Sequence, residues 1–243
     1  MTLIWAHAGA GTFSSSNTIE AFELAIEQGA DGLELDVHMT RDGRVVCRHD
    51  ETVDLPSGVR VFIRDLSGEE VGAVDLGEGR RIPELAQVLS LLAGTDLALN
   101  VEVKNGPVLY PGIEEAVLAT VAAAREERAV VYSSFNHYTL LRLRELSPGA
   151  LIAPLYTEAL VDPWLYAQHL GADALHPFHA TLAAPGVLDG FREAGVSVRA
   201  WTVNEPEDLR RLISAGVDAV ITDEPAIARR IGAEIAAESG VPR

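Results

Sequence analysis

Cysteine is almost absent from this sequence. The chain of 243 residues contains one cysteine, Cys47. A single cysteine excludes an intramolecular disulfide framework and a zinc cluster built from several cysteines. This scarcity is typical of proteins from a reducing compartment, and we interpret Cys47 as a small core residue rather than as a nucleophile.

Positive charge is also scarce. Nineteen lysine and arginine residues stand against 36 aspartate and glutamate residues, which gives a formal net charge of −17 with histidine neutral. A field of this sign repels nucleic acids and anionic lipid surfaces, so we expect no nucleic-acid partner. An anionic substrate would have to meet a local cation or a bound metal ion.

Long hydrophobic runs are missing as well. No segment offers about 18 uninterrupted apolar residues, and Met1–Ala10 has no basic region before an apolar stretch. We therefore expect no membrane anchor and a cytoplasmic location. With 48% hydrophobic and 23% charged residues, the chain can bury a large core, while the sequence leaves the oligomeric state open.

Eight short apolar runs alternate with stretches of helical periodicity along the whole sequence. The runs are Leu3–His7, Gly32–Val37, Leu97–Val103, Val130–Ser133, Leu151–Pro154, Ala174–His176, Val196–Thr202 and Ala219–Thr222. Helices are predicted to begin near Thr18, Pro83, Pro111, His137, Asp162, Thr181, Pro206 and Ala226. This alternation predicts an α/β fold of the (β/α)8, or TIM-barrel, type. The length suits one barrel domain over residues 1–243.

One segment interrupts the repeat after the second strand. Asp42-Gly43 stands between two β-rich runs, which is a strong hairpin signal. We predict an antiparallel return strand over Val45–His49, with Leu35 opposite His49. The whole insertion covers about residues 38–82, and its part from Glu51 to Arg81 lacks strong periodicity and could cap one end of the barrel.

Acidic side chains occur where two predicted strands end. The second strand carries Glu34 and Asp36, and the third carries Glu102 and Lys104. Strand alternation puts each pair on one face, and reactive groups of (β/α)8 barrels lie at the C-terminal ends of strands. Three carboxylates with one lysine favour a hard divalent cation, Mg²⁺ or Ca²⁺, as their counterion. The alternative is that each acid is a solvated charge or an ordinary salt-bridge partner.

Two histidines end strands at the same rim. His7 ends the first strand and His49 ends the return strand, and imidazole is suited to acid–base catalysis near neutral pH. Each could instead be a structural, hydrogen-bonded histidine. His176 ends the sixth strand and is a weaker candidate for substrate contact. Trp201 offers a flat apolar wall for a small alcohol, although a structural role is almost as well supported.

Several motifs occur in a characteristic order. They are His7-Ala8-Gly9, Asn17-Thr18 with Ala21-Phe22, Gly29–Val37, Thr40–Gly43, His49-Asp50, Val101–Lys104, Ser133–Asn136, Trp201–Asn204, Gly216–Asp218 and Ile221–Asp223. In this order and spacing the sequence resembles the glycerophosphodiester phosphodiesterase family, which has a (β/α)8 barrel. The most specific stretch runs from Gly29 to His49-Asp50.

The resemblance implies a role for each candidate residue. It implies metal ligation by Glu34, Asp36 and Glu102. It implies acid–base catalysis by His7 and His49, phosphate binding by Lys104 and an alcohol site flanked by Trp201. The implied reaction is metal-dependent hydrolysis of a small glycerophosphodiester to sn-glycerol 3-phosphate and an alcohol such as choline or ethanolamine.

The sequence departs from the family pattern at two places. Ala8 replaces the arginine that follows the first histidine, and Ser15-Ser16 replaces a Pro-Glu pair. Losing a bidentate phosphate donor of this kind could slow the reaction by a factor on the order of 10² to 10³. Candidate replacement cations are Arg48, Arg60, Arg64 and Arg199. Two alternatives therefore stay open: a lyase that releases a cyclic phosphate, and a weakened barrel that binds a phosphorylated ligand without turnover.

Overall fold

The structure is a computed structural model that describes residues 1–11, 16–124 and 130–238. This part of the chain contains eleven strands. They are β1 (Leu3–Ala6), β2 (Gly32–Met39), β3 (Val45–Cys47), β4 (Thr52–Asp54), β5 (Arg60–Phe62), β6 (Ala98–Val103), β7 (Val130–Ser134), β8 (Leu151–Tyr156), β9 (Ala174–Pro177), β10 (Ser197–Ala200) and β11 (Ala219–Thr222). Eight of them, β1, β2 and β6 to β11, form one parallel sheet.

The parallel sheet closes on itself. Its strands follow the order β1, β11, β10, β9, β8, β7, β6, β2, and β1 pairs with β2 through Trp5 and Gly32. A closed ring of eight parallel strands confirms the predicted barrel. The C-terminal ends of all eight strands therefore meet at one rim, which is where the candidate residues lie.

Helices surround the barrel. They are α1 (Ile19–Glu27), α2 (Gly68–Gly72), α3 (Leu85–Leu92), α4 (Ile113–Ala123), α5 (His137–Leu146), α6 (Pro163–Leu170), α7 (Val187–Ala194), α8 (Pro206–Ala215) and α9 (Pro225–Glu238). Each barrel strand is followed by one of them, with α2 as the additional helix. The hydroxyl oxygen of Thr18 accepts a hydrogen bond from the Ala21 amide at 3.2 Å and caps α1, as its position suggested. No helix of the described residues is long and apolar enough to span a bilayer.

One predicted helix start is wrong. The chain forms a short 3₁₀ helix over His179–Ala183, and α7 begins only at Val187. Pro185 is the reason, because the residue before a proline avoids the helical region, and Ala184 is extended with ψ 136°. Gly186 then turns the chain with φ 78° and lets α7 begin.

The predicted hairpin after β2 is confirmed. Val37 pairs with Cys47 and Met39 with Val45 in an antiparallel ladder, and the Arg48 amide donates to the Asp36 carbonyl at 3.0 Å in the same register. β3 ends at Cys47, however, so the predicted strand was too long. His49 consequently lies in the connection between β3 and β4 rather than in a ladder.

The rest of the insertion has its own small core. β4 and β5 form an antiparallel hairpin, followed by a 3₁₀ helix at Ile63–Asp65 and by α2. Their apolar residues form a separate cluster with one residue of β3: Val46, Val53, Ile63, Leu66, Val71, Val74 and Ile82. The sequence did not predict these elements, because short strands and a five-residue helix produce little periodicity.

The main hydrophobic core lies between the strands and the helices. Leu33, Leu35 and Val37 of β2 face this layer and are fully buried. Period-two alternation therefore turns Glu34 and Asp36 toward the barrel interior. Because the apolar side chains of β2 pack against the helices, its polar side chains must face the barrel interior.

Candidate active site

Three buried carboxylates meet near the C-terminal rim of the barrel. β2 and β6 are neighbours, and their register pairs Asp36 with Glu102. Glu34 lies on the same face of β2 as Asp36. Glu34, Asp36 and Glu102 are 4%, 1% and 8% exposed, and each offers a carboxylate oxygen within 4.8 Å of the other two. We call these three residues the acid cluster.

Lys104 supplies positive charge to the acid cluster. It is the only lysine in the sequence. Its ammonium lies 3.1 Å from Oδ1 of Asp36 and 3.0 Å from Oε1 of Glu102. Burial opposes the charged form of the amine, but the two carboxylates outweigh burial and raise the pKa of Lys104 above its usual value. Lys104 is therefore a fixed cation at the centre of the site.

Burial leaves the acid cluster short of positive charge. Desolvation and the neighbouring Asp36 raise the pKa of Glu34 to about 8. Desolvation also raises the pKa of Glu102 to about 7, against the opposing effect of Lys104. For Asp36 the cost of burial is outweighed by Lys104, His49 and His7, which hold its pKa below the usual value. One lysine does not compensate three carboxylates at neutral pH.

The acid cluster fits a hard divalent cation. All its donors are carboxylate oxygens, which Mg²⁺ and Ca²⁺ prefer. The buried Oδ1 of Asp36 accepts no well-directed hydrogen bond from any described residue and has Lys104 as its ion-pair partner. A cation held by these oxygens would supply the missing charge.

Asn17 holds Asp36 in place. Its side-chain amide donates to Oδ2 of Asp36 at 2.8 Å, and its carbonyl oxygen accepts from the Asp36 amide at 3.1 Å. Asn17 is fully buried and has a left-handed backbone, φ 56°. In the sequence, Asn17 was notable only as part of the Asn17-Thr18 motif. Its left-handed conformation is one that asparagine tolerates better than most residues.

Ala8 takes part in the site through its backbone. Its amide donates to Oε2 of Glu34 at 3.0 Å, and its φ is 49°. Gly9 follows with φ 91°, and a Cβ atom there would lie 2.7 Å from the Ala21 backbone. The turn after β1 therefore requires Gly9 and aims the Ala8 amide at the acid cluster. The methyl group of Ala8 cannot replace the phosphate contacts of an arginine.

His7 is held between Asp223 and the acid cluster. Its Nδ1 lies 2.7 Å from Oδ1 of Asp223, and its Nε2 lies 4.0 Å from Oε2 of Glu34. Desolvation lowers the pKa of His7, but the hydrogen bond to Asp223 and the charges of Glu34 and Asp36 outweigh it. The pKa rises to about 9. These contacts therefore favour the charged form of His7 in the absence of metal.

Asp223 and Asn204 were not selected as site residues from the sequence. The Asn204 amide donates to Oδ2 of Asp223 at 2.6 Å, and its carbonyl oxygen accepts from the Asp223 amide at 2.9 Å. Asp223 follows directly after β11. The rule that selected His7, a polar residue at a strand's C-terminal end, would have found Asp223 as well.

His49 approaches the acid cluster from the insertion side. Its Nδ1 lies 2.8 Å from Oδ1 of Asp50, and its carbonyl oxygen lies 3.2 Å from Nε2 of His38. Its electrostatic interaction with Asp36 helps to hold the pKa of that carboxyl down, and its interaction with Glu102 partly offsets the rise in the Glu102 pKa that burial causes. His7 and His49 therefore face the acid cluster from two different loops.

Trp201 lies in an aromatic wall next to the rim. Its indole nitrogen donates to the His176 carbonyl at 2.7 Å. Its ring meets Phe135 edge-on with 5.4 Å between ring centroids, and Phe178 lies at 5.7 Å. His176 itself has no exposed surface and packs inside the barrel against Trp5. Of these two candidates, only Trp201 is placed to meet a ligand at the rim.

Arg199 does not replace the missing arginine. Its guanidinium stacks on the ring of Trp5 at 4.9 Å and lies 3.3 Å from Nε2 of His176 inside the barrel. The acidic residues that interact electrostatically with Arg199 are Asp218 and Asp173, which directly precede β11 and β9. The side chain is therefore directed toward the N-terminal end, away from the acid cluster.

The other three candidate arginines have acidic neighbours within the insertion. Arg48 lies 4.0 Å from Asp50, Arg60 lies 2.9 Å from Asp54 and Arg64 lies 3.9 Å from Asp65. In the part of the chain that the structure describes, Lys104 is the only lysine or arginine within ion-pair distance of the acid cluster. Of the candidate lysine and arginine residues, Lys104 alone therefore lies at the acid cluster in the described part of the chain.

The geometry agrees with comparisons to known proteins. A sequence model of the glycerophosphoryl diester phosphodiesterase family matches residues 7–227. This chain belongs to that family. It is an enzyme, a glycerophosphodiester phosphodiesterase by class.

Relatives match over nearly their whole length. The glycerophosphodiester phosphodiesterase of Caldanaerobacter subterraneus is 42% identical over 92% of this chain and 95% of the relative. That of Bacillus altitudinis is 32% identical over 97% and 100%. The crystal structure of a glycerophosphodiester phosphodiesterase from Parabacteroides distasonis superposes with a TM-score of 0.84 at 27% identity, covering 97% and 98% of the two chains. The family and the barrel are thus shown by sequence and by structure.

Proposed function

We propose that this enzyme hydrolyses small glycerophosphodiesters to sn-glycerol 3-phosphate and an alcohol, and that it depends on a divalent cation, Mg²⁺ or Ca²⁺. The observation that carries the proposal is the acid cluster of Glu34, Asp36 and Glu102 within 4.8 Å. In a phosphodiesterase barrel, such a cluster would repel an anionic diester unless a cation intervened. All three acids offer carboxylate oxygens as metal ligands, which suit Mg²⁺ or Ca²⁺.

The three acids would hold the cation, and Lys104 would bind the phosphate. When bound, a divalent cation neutralises non-bridging oxygens of the diester and acidifies a water or hydroxyl nucleophile. Lys104 is within reach of the same region, since its ammonium contacts Asp36 and Glu102. As a point charge it can replace the absent arginine only in part, because it lacks the planar pair of donors.

His7 and His49 would move the protons. In the hydrolysis, a water oxygen forms a bond to phosphorus and gives up a proton, while the bond from phosphorus to the alcohol oxygen breaks. That oxygen keeps the electron pair and takes up a proton. Asp223 fixes His7 through Nδ1 and leaves Nε2 facing the acid cluster. Asp50 contacts Nδ1 of His49 in the same way.

The decisive experiment measures release of glycerol 3-phosphate from glycerophosphocholine and glycerophosphoethanolamine, with Mg²⁺, with Ca²⁺ and with EDTA. We expect metal-dependent release that is lost in Glu34→Ala and in Glu102→Ala, together with weaker metal binding. Glu193→Gln, an exposed acid on α7 outside the acid cluster, is the matched control. Unchanged turnover in both cluster variants would refute the proposal.

The same reaction distinguishes two alternatives. A cyclic phosphate that persists in ³¹P NMR spectra would indicate a lyase, in which a substrate hydroxyl attacks phosphorus. Binding of glycerophosphocholine without any product would indicate a barrel weakened by Ala8, which lacks the phosphate donor.

A further inference from the structure

A cavity opens beside the acid cluster on the side of His49. Its volume is about 290 Å³. It lies between the β3–β4 connection, the loop after β6 and the end of β7, and its inner wall includes His49, Glu102 and Lys104. Ligand pockets measure about 300–1,000 Å³, so this cavity is at the small end of that range.

Part of the cavity lining is apolar and aromatic. It consists of Pro107, Val108 and Phe135. Phe135 is 46% exposed, and its ring is supported from one edge by Trp201 at 5.4 Å between ring centroids. An exposed aromatic ring beside a reaction centre offers both an apolar surface and a negative π face.

Glu51 brings an uncompensated carboxylate to the same cavity. It is partly buried and lines the cavity, and its backbone is fixed because the Ile63 amide donates to its carbonyl at 2.9 Å. Among the described residues, no hydrogen bond or ion pair engages its carboxylate. Glu102 at the inner end, in contrast, is paired with Lys104. The cavity therefore has one negative group whose charge no neighbouring side chain neutralises.

We propose that this cavity holds the alcohol part of the substrate and that Glu51, with the Phe135 ring, selects alcohols that carry a cationic nitrogen. The inference rests on the proposed function. A carboxylate and an aromatic face are the two groups that recognise an ammonium, and choline or ethanolamine supplies one. A neutral alcohol such as glycerol gains from neither charge nor cation–π attraction.

The test compares kcat/KM for glycerophosphocholine with kcat/KM for glycerophosphoglycerol, whose leaving alcohol is neutral. The ratio of the two cancels effects that are common to both substrates. We expect Glu51→Gln to lower the ratio by about five- to tenfold, the size of a partly exposed charge contact together with altered cation–π geometry. Glu193→Gln removes one negative charge from the exposed surface of α7 and should leave the ratio unchanged.

A second measurement does not require turnover. Free choline and its neutral isostere 3,3-dimethylbutan-1-ol are titrated into the protein, and binding is followed by NMR. We expect choline to bind about five- to tenfold more tightly, with the preference lost in Glu51→Gln. Equal affinities of the wild-type protein, or a preference that survives Glu51→Gln, would overturn the inference even if hydrolysis is normal. Absent hydrolysis with an intact, Glu51-dependent preference would instead overturn the proposed function alone.

Discussion

Nδ1 of His7 lies 2.7 Å from Oδ1 of Asp223, although the two residues are separated by almost the whole chain. The first and the last strand of the barrel are neighbours, and this brings their C-terminal ends together. The contact orients the imidazole and stabilises its charged form, which raises its pKa to about 9 against the cost of burial.

Replacing Asp223 should impair His7 without disturbing the fold. Asp223→Asn keeps the contacts to Asn204 but removes the charge that stabilises the imidazolium. We expect kcat to fall by about 10- to 100-fold, which is less than the full contribution of general acid–base catalysis because His7 itself remains. The pKa of His7, followed by NMR, should fall as well. Glu224→Gln, an exposed neighbour in sequence, is the control, and equal kcat values for the two variants would contradict the assignment.

Lys104 should matter most to stability when no metal is bound. Lys104→Met leaves Asp36 and Glu102 buried without their cation. Breaking a buried ion pair by removing one partner costs about 3–5 kcal/mol. We expect urea unfolding in EDTA to show a loss of this order and Mg²⁺ to recover a large part of it. Lys104→Arg keeps the charge and should lose less, so equal losses for both variants would show that packing rather than charge is responsible.

The metal-free protein should lose stability as the pH rises. Burial, followed by Asp36, raises the pKa of Glu34 from 4.5 to about 8, and the pKa of His7 rises from 6.5 to about 9. At a pH between the usual pKa and the raised pKa of either group, the folded protein still holds a proton that the unfolded protein has released. The free energy of unfolding therefore decreases with pH across pH 4.5–8 for Glu34 and pH 6.5–9 for His7.

Chemical denaturation in EDTA at pH 5, 7 and 9 measures this decrease. Metal binding should release protons, and its stabilising effect should grow with pH, because the cation takes the place of the proton on the acid cluster. A stability that is constant or increases over this range would contradict the raised pKa values. Glu34→Gln removes one titrating group and should flatten the lower window.

His38 should support His49 through the backbone. The His38 ring is 2% exposed, and its Nε2 lies 3.2 Å from the His49 carbonyl oxygen. His38→Phe keeps a ring of similar size but leaves that oxygen without its donor, which is worth about 1 kcal/mol. We expect kcat to fall by about fivefold with little change in KM. His38→Gln, which can still donate, should retain more activity, and identical kinetics for both variants would refute the role.

The sequence by itself determined the barrel and the direction of its polar side chains. Hydrophobic periodicity depends only on residues that are close in sequence. It was therefore enough to predict eight strands and to predict that Glu34, Asp36 and Glu102 face the barrel interior. The strand-end rule then placed these acids and His7 at one rim. No knowledge of distant contacts was needed, because every parallel strand of a barrel ends on the same side.

Only the tertiary structure decided which side chains touch. The pairs His7–Asp223 and Asn17–Asp36 depend on which strands and loops are neighbours and on their relative shift, which local periodicity does not encode. The same holds for Arg199, whose place in the chain suggested the rim but whose side chain packs on Trp5 inside the barrel. Strand alternation determines which face of the sheet a side chain lies on. The residues that it contacts are determined by the packing of segments that are far apart in sequence.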